Sequence, residues 1–183
     1  MCVFLGILVI TAVSTVLADF TIYIGQTNDI TDVGVVFSST EIQIHNHYNL
    51  SCSDIGHVVP ISVSSNNDAS KGHWACDGCS AKAAKDWCID RFEMYNRGDA
   101  VGRSTDHSTP LFDRATGAVT LYKIKNSGHY EMRDINNSFL GTCNRPRYPQ
   151  EMDCWQLISA TFLTHVFTCT SDLIPNKGLW IPD

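Results

Sequence analysis

The sequence has 183 residues, with 13 Lys+Arg against 19 Asp+Glu and a formal net charge of −6. An acidic balance without a Lys/Arg cluster argues against nucleic-acid backbone binding, which needs clustered positive charge, and against a basic membrane-surface protein. The length suits one ordinary domain with a real hydrophobic core.

Met1 to Ala18 contains no charged side chain. Phe4, Leu5 and Ile7 to Ile10 form an apolar block, and Val16-Leu17-Ala18 ends it with a cleavage-like site beside Asp19. This is the layout of a signal peptide over 1–18. The competing reading, a membrane anchor, requires about 20 apolar residues. Cutting after Ala18 leaves 183 − 18 = 165 residues, 19–183, expected to be a single secreted domain. No later stretch is apolar enough to predict a membrane span.

In the mature chain, Phe20 to Ile24 reads as a strand, rich in β-branched and aromatic residues. Gly25 to Asp32 is turn-rich, and Val33 to Phe37 is a second apolar run weakened by Gly34. Glu41 to His45 alternates polar and apolar, the period of a half-buried strand. Ser51 to Asp54 reads as a turn or helix start, and Val58 to Val63 as an edge strand bent by Pro60. Ser64 to Lys71 is polar and loop-like. Ser80 to Trp87, rich in Ala and Lys with Ser80 as a cap, predicts a short helix. Arg91 to Tyr95 is extended. Asn96 to Gly117 predicts a long exposed loop. Ala118 to Lys125 is the clearest strand, followed by the Asn126-Ser127-Gly128 turn and a return strand from His129 to Arg133. Ser138 to Thr142 predicts a short strand, Glu151 to Ile158 a helical turn, and Thr161 to Thr170 a strand. The sum is an α+β class, β-rich: a small antiparallel sheet with one or two short helices, braced by disulfides.

Seven cysteines follow the signal segment: Cys52, Cys76, Cys79, Cys88, Cys143, Cys154 and Cys169. In an oxidising compartment six pair and one is left over. Spacing does not fix the pattern, although Cys143 and Cys154 flank a Pro-containing loop and are the favoured pair. The Cys76-x-x-Cys79 motif fits a redox dithiol only in a βαβ context, and zinc, with His73 or Cys88 as additional ligands, only with a second ligand pair, which the sequence lacks. The expectation is instead two structural half-cystines with different partners. Asn49-Leu50-Ser51 and Asn136-Asn137-Ser138 are glycosylation sequons. His45-Asn46-His47 places two imidazoles on one strand face, but no acidic third ligand accompanies them, and no metal or cofactor is expected. Arg97-Gly98-Asp99 reads as a plain turn. Trp74, Trp87 and Trp155 adjoin cysteines and are expected in the core.

His73-Trp74-Ala75-Cys76-Asp77-Gly78-Cys79, Ala118 to Tyr122 with His129-Tyr130-Glu131-Met132, Leu140-Gly141-Thr142-Cys143 and the strand Phe20 to Ile24 together resemble small secreted cysteine-rich proteins of filamentous ascomycete fungi. Some of those are effectors, delivered to a host. The resemblance implies a virulence or interaction role and brings no catalytic residues. The expected function is therefore a non-catalytic, effector-like protein binding a host or extracellular protein or glycan, through the loops Asn96 to Gly117 and Ser64 to Lys71. A secreted hydrolase is the alternative, most plausibly a ribonuclease, which needs His or Glu with a cation for the phosphate. His45, His47, His129, Glu41, Glu131 and Arg133 supply those types. An antimicrobial or killer-type toxin is a further alternative, disfavoured by the acidic charge.

Overall fold

A computed structural model describes residues 18–30, 36–46, 50–54, 61–62, 74–79, 83–95, 112, 117–155 and 159–173. Among the described residues, ten strands form one antiparallel sheet: β1 (Ala18–Ile30), β2 (Val36–His45), β3 (Ile61–Ser62), β4 (Trp74–Asp77), β5 (Arg91–Tyr95), β6 (Ala118–Lys123), β7 (His129–Arg133), β8 (Phe139–Asn144), β9 (Glu151–Trp155) and β10 (Ser159–Ser171). The order is β3-β2-β1-β10-β8-β7-β6-β5-β4, with β9 also on β10. Every neighbour but the β1–β10 and β10–β8 pairs follows the chain, so this is largely an up-and-down meander in which the first and last strands meet, the strand order of a near-barrel.

The α+β expectation is overturned. Among the described residues the only helical pieces are two 3₁₀ turns, Cys52–Asp54 and Ala84–Asp86. The second occupies the segment expected to be a helix. A helical nucleus is costly, and here Ala83 and Trp87 on either side are extended. The Arg145 guanidinium takes the carbonyls a helix would use, donating to Ala84 O at 2.8 Å, Lys85 O at 3.1 Å and Trp87 O. Glu151–Trp155 is β9 rather than a helical turn, because β10 offers it an edge to pair with. Gly25 to Ile30 continues β1 rather than turning. Its backbone is laddered to β2 on one side and β10 on the other, which overrides weak strand propensity.

β10 is long enough to carry two partners on one edge. Its first half pairs with β9 (Thr164↔Glu151) and its second half with β8 (Thr168↔Asn144). Between them the β1 register skips Val166, so that Ile22 faces Phe167 and Tyr23 faces His165. This bulge lets Val166 and Phe167 both enter the core.

The main core lies on the inner face. It gathers Phe20, Ile22, Ile24, Ile42, Ile44, Trp74, Phe92, Met94, Val119, Leu121, Tyr130, Met132 and Phe167. Phe167 sits 5.5 Å from Phe92 and 4.8 Å from Tyr130, the latter edge to face. The Tyr130 hydroxyl donates to Ile89 O at 2.7 Å, which satisfies its one buried polar atom. Phe112, from the stretch expected to be an exposed loop, is fully buried and packs 5.3 Å from Phe20. The rest of 96–116 lies outside the described residues.

Three disulfides brace the sheet: Cys52–Cys154, Cys76–Cys79 and Cys143–Cys169. Two expectations are corrected here. Cys143 pairs with Cys169, its direct partner in the β8–β10 register, and not with Cys154. Cys76 and Cys79 pair with each other. Among the described residues Cys88 is the free cysteine, and it is exposed.

Candidate functional site

Three groups of chemically capable side chains emerge. The first is the outward face of β4 to β8. Pairing aligns Asp77, Arg91, Tyr122, Glu131 and Thr142 in one row across five strands. Asp77 and Arg91 form an ion pair at 2.9 Å. On β7, Tyr130 and Met132 point inward, so His129, Glu131 and Arg133 share the outer face. Arg133 binds Glu131 at 2.6 Å and donates to Asn137 O at 2.8 Å, while the His129 ring is hydrogen-bonded to Asn144. Three of the six residues named for a hydrolase therefore lie on one strand face, with Glu131 and Arg133 held by each other.

The second group is buried on the opposite layer, behind β1, β2 and β10. Tyr23 stacks on His165 at 5.0 Å and meets His45 edge-on at 5.7 Å. His45 is bonded to Gln43 at 3.2 Å, and His165 to Phe167 O and Thr168 at 3.0 Å each. Burial pushes the His165 imidazole below its ordinary value, with the Phe167 carbonyl opposing in part. Burial pushes the Tyr23 phenol up. Leu50, Leu163 and Cys154 complete this cluster, and Met152 packs against it. His45 is thus a buried packing residue, far in register from β7. His47 and His73 lie outside the described residues, as does any side-chain placement for Glu41. Among the described residues no three His, Cys, Asp or Glu side chains gather as metal ligands.

The third group is aromatic. Trp74 is 2 % exposed and stacks on half-buried Trp87 at 6.4 Å. Trp155, expected in the core, is 73 % exposed. The adjacent Cys154 is buried with Tyr23 and Leu163, so strand alternation turns Trp155 to the other side of β9, where Phe162 meets it edge to face at 5.7 Å. That alternation was the available signal in the sequence, hidden by the helical reading of 151–158.

Asn136 is exposed in the β7–β8 turn. There Asp134 accepts from the backbone of Asn136 at 2.9 Å and of Ser138 at 2.7 Å. Asn49, Arg97-Gly98-Asp99, the loop Ser64 to Lys71 and the predicted signal segment before Ala18 lie outside the described residues. No described helix is long and apolar enough to cross a membrane. No family model, curated protein or solved structure matches the chain.

Proposed function

We propose that the chain is a secreted, effector-like protein of a filamentous fungus that binds a host or extracellular protein or glycan without catalysis. Its disulfides are compatible with an extracellular protein. The observation that carries the reading is Trp155. Its indole is exposed, yet its backbone is fixed by β10 pairing, and its neighbour Cys154 is tied to Cys52. A rigid exposed Trp supplies large contact area at low entropic cost, the property of an interface anchor. The test compares the mature protein with Trp155→Ala as cross-linking baits in extracellular fluid of host tissue. A specific partner captured by the parent and reduced at least tenfold with the variant, at unchanged Tm, supports the proposal. Equal capture by both removes Trp155 as the anchor.

The strand face of His129, Glu131 and Arg133 favours a second reading, a ribonuclease-like hydrolase. In it His129 would move the proton, and Arg133, freed from Glu131, would meet the phosphate. Release of acid-soluble nucleotides from single-stranded RNA, abolished by His129→Ala, supports that reading. No release by the parent protein ends it.

A further inference from the structure

The Asn136-Asn137-Ser138 sequon stands on the connection between β7 and β8, where every residue from Ile135 to Phe139 is exposed. The turn is closed without the sequon's reactive groups. The Asp134 carboxylate accepts from the backbone N–H of Asn136 at 2.9 Å and of Ser138 at 2.7 Å. The Asp134 N–H donates to Ser138 O at 3.1 Å, and Arg133 donates to Asn137 O at 2.8 Å. Asn137 takes a left-handed φ of 65°, which an asparagine tolerates. The Asn136 side-chain amide and the Ser138 hydroxyl take part in none of these bonds, so a sugar on Asn136 costs the turn no contact.

The same short connection shows two large apolar side chains to solvent. Ile135 is 66 % exposed and Phe139 is 59 % exposed, and they flank the sequon on either side. A glycan rooted between them presents apolar C–H faces of its sugar rings, which pack on such side chains and take them out of water. The other sequon is built differently. There Leu50 is buried with Tyr23 and Leu163, the Ser51 hydroxyl donates to Asp54 at 2.6 Å, and Cys52 is tied to Cys154.

We infer that Asn136 carries an N-linked glycan whose first sugars cover Ile135 and Phe139. The inference rests on the secreted reading, since the donor, an oligosaccharide on a lipid pyrophosphate, is met in the secretory pathway. In the transfer, Asn136 Nδ2 bonds to C1 of the first sugar as the bond from C1 to the pyrophosphate oxygen breaks. The amide gives up one proton and the lipid pyrophosphate leaves, so no oxidant or reductant is consumed. The product is a bulky, solubilising group on a surface turn.

The test expresses the full chain in a eukaryotic secretory host and takes the protein from the medium. Peptide N-glycanase in heavy-oxygen water should convert Asn136 to a labelled Asp, read by mass spectrometry of its peptide. Ser138→Ala should lose the label and Ser138→Thr should keep it. Secreted protein with Asn136 unlabelled, even where Asn49 is labelled, overturns the inference and leaves the secreted reading standing. A chain that never reaches the medium overturns that reading and the inference with it. The cover is read with an apolar fluorescent dye. Asn136→Gln should bind about twofold more dye than the glycosylated parent, and Asn136→Gln/Ile135→Ser/Phe139→Ser should return to the parent's level. Equal dye binding by the parent and Asn136→Gln, at equal Tm, overturns the cover.

Discussion

The β4–β8 meander and the β1–β2–β10 layer are built from similar strands but are buried differently. In the meander one face meets solvent. β5 buries Phe92 and Met94 and leaves Arg91, Glu93 and Tyr95 half-exposed, and β7 repeats the pattern. In the other layer both faces are covered. Residues 20–25 of β1 and 42–45 of β2 are buried without a break. The inner face holds Phe20, Ile22 and Ile24, and the outer face holds Thr21, Tyr23, Gln43, His45 and His165 under the Cys52–Cys154 staple. The difference teaches that alternation is a property of a solvated face and vanishes where a second layer covers the strand.

The comparison is broken most severely by removing the staple. Cys52 and Cys154 are 102 residues apart, and the loop they close gives about 5 kcal/mol of stabilisation in the chain-entropy account. The Cys52→Ala/Cys154→Ala variant should lose about that much in urea unfolding. The same change at Cys143–Cys169, separation 26, should cost about 3.5 kcal/mol, and at Cys76–Cys79, separation 3, about 2 kcal/mol. A different order would show that the staple does not constrain the outer layer as described.

Within the meander, Phe92→Ala should cost about 3–5 kcal/mol, since Phe92 is fully buried against Trp74 and Phe167. Tyr122→Ala, on the exposed face of the next strand, should change stability by only about 0.5 kcal/mol. Comparable losses in the two variants would deny the two-faced character of the meander.

A smaller effect distinguishes the covered layer. The His165 imidazole is held below its ordinary 6.5, so the unfolded chain binds the proton more readily than the folded one. Its contribution to stability is present above pH 6.5 and is lost as pH falls through that value toward the lowered one. Urea midpoints from pH 7.5 to 5 should fall less steeply in His165→Asn than in the parent. Parallel curves would place His165 in contact with water. The smallest effect is expected at Glu131→Gln, where a partly exposed ion pair is worth about 0–1 kcal/mol.

The meander was legible in the sequence because large apolar residues recur at alternate positions, Val119 and Leu121 on β6 and Tyr130 and Met132 on β7. Ala118 to Lys125, the Asn126-Ser127-Gly128 turn and His129 to Arg133 emerge as strand, turn and strand. Gly25 to Ile30 was not legible, since its strand state comes from partners on both sides rather than from its own residues. The segments 80–87 and 151–158 carry local helical preference that tertiary contacts defeat: the Arg145 clamp in the first and the free edge of β10 in the second. At the candidate sites, the sequence supplied the residue types of the β7 face but not the Glu131–Arg133 pairing. It hid Trp155 behind the wrong period.

The covered β1–β2–β10 layer depends on the Cys52–Cys154 staple that holds it. A peptide map of the unreduced protein, alkylated in acid and digested under acid conditions, should contain a peptide pair linked through Cys52 and Cys154. Cys52 linked to any other cysteine, or recovered as a free thiol, would contradict the covered layer.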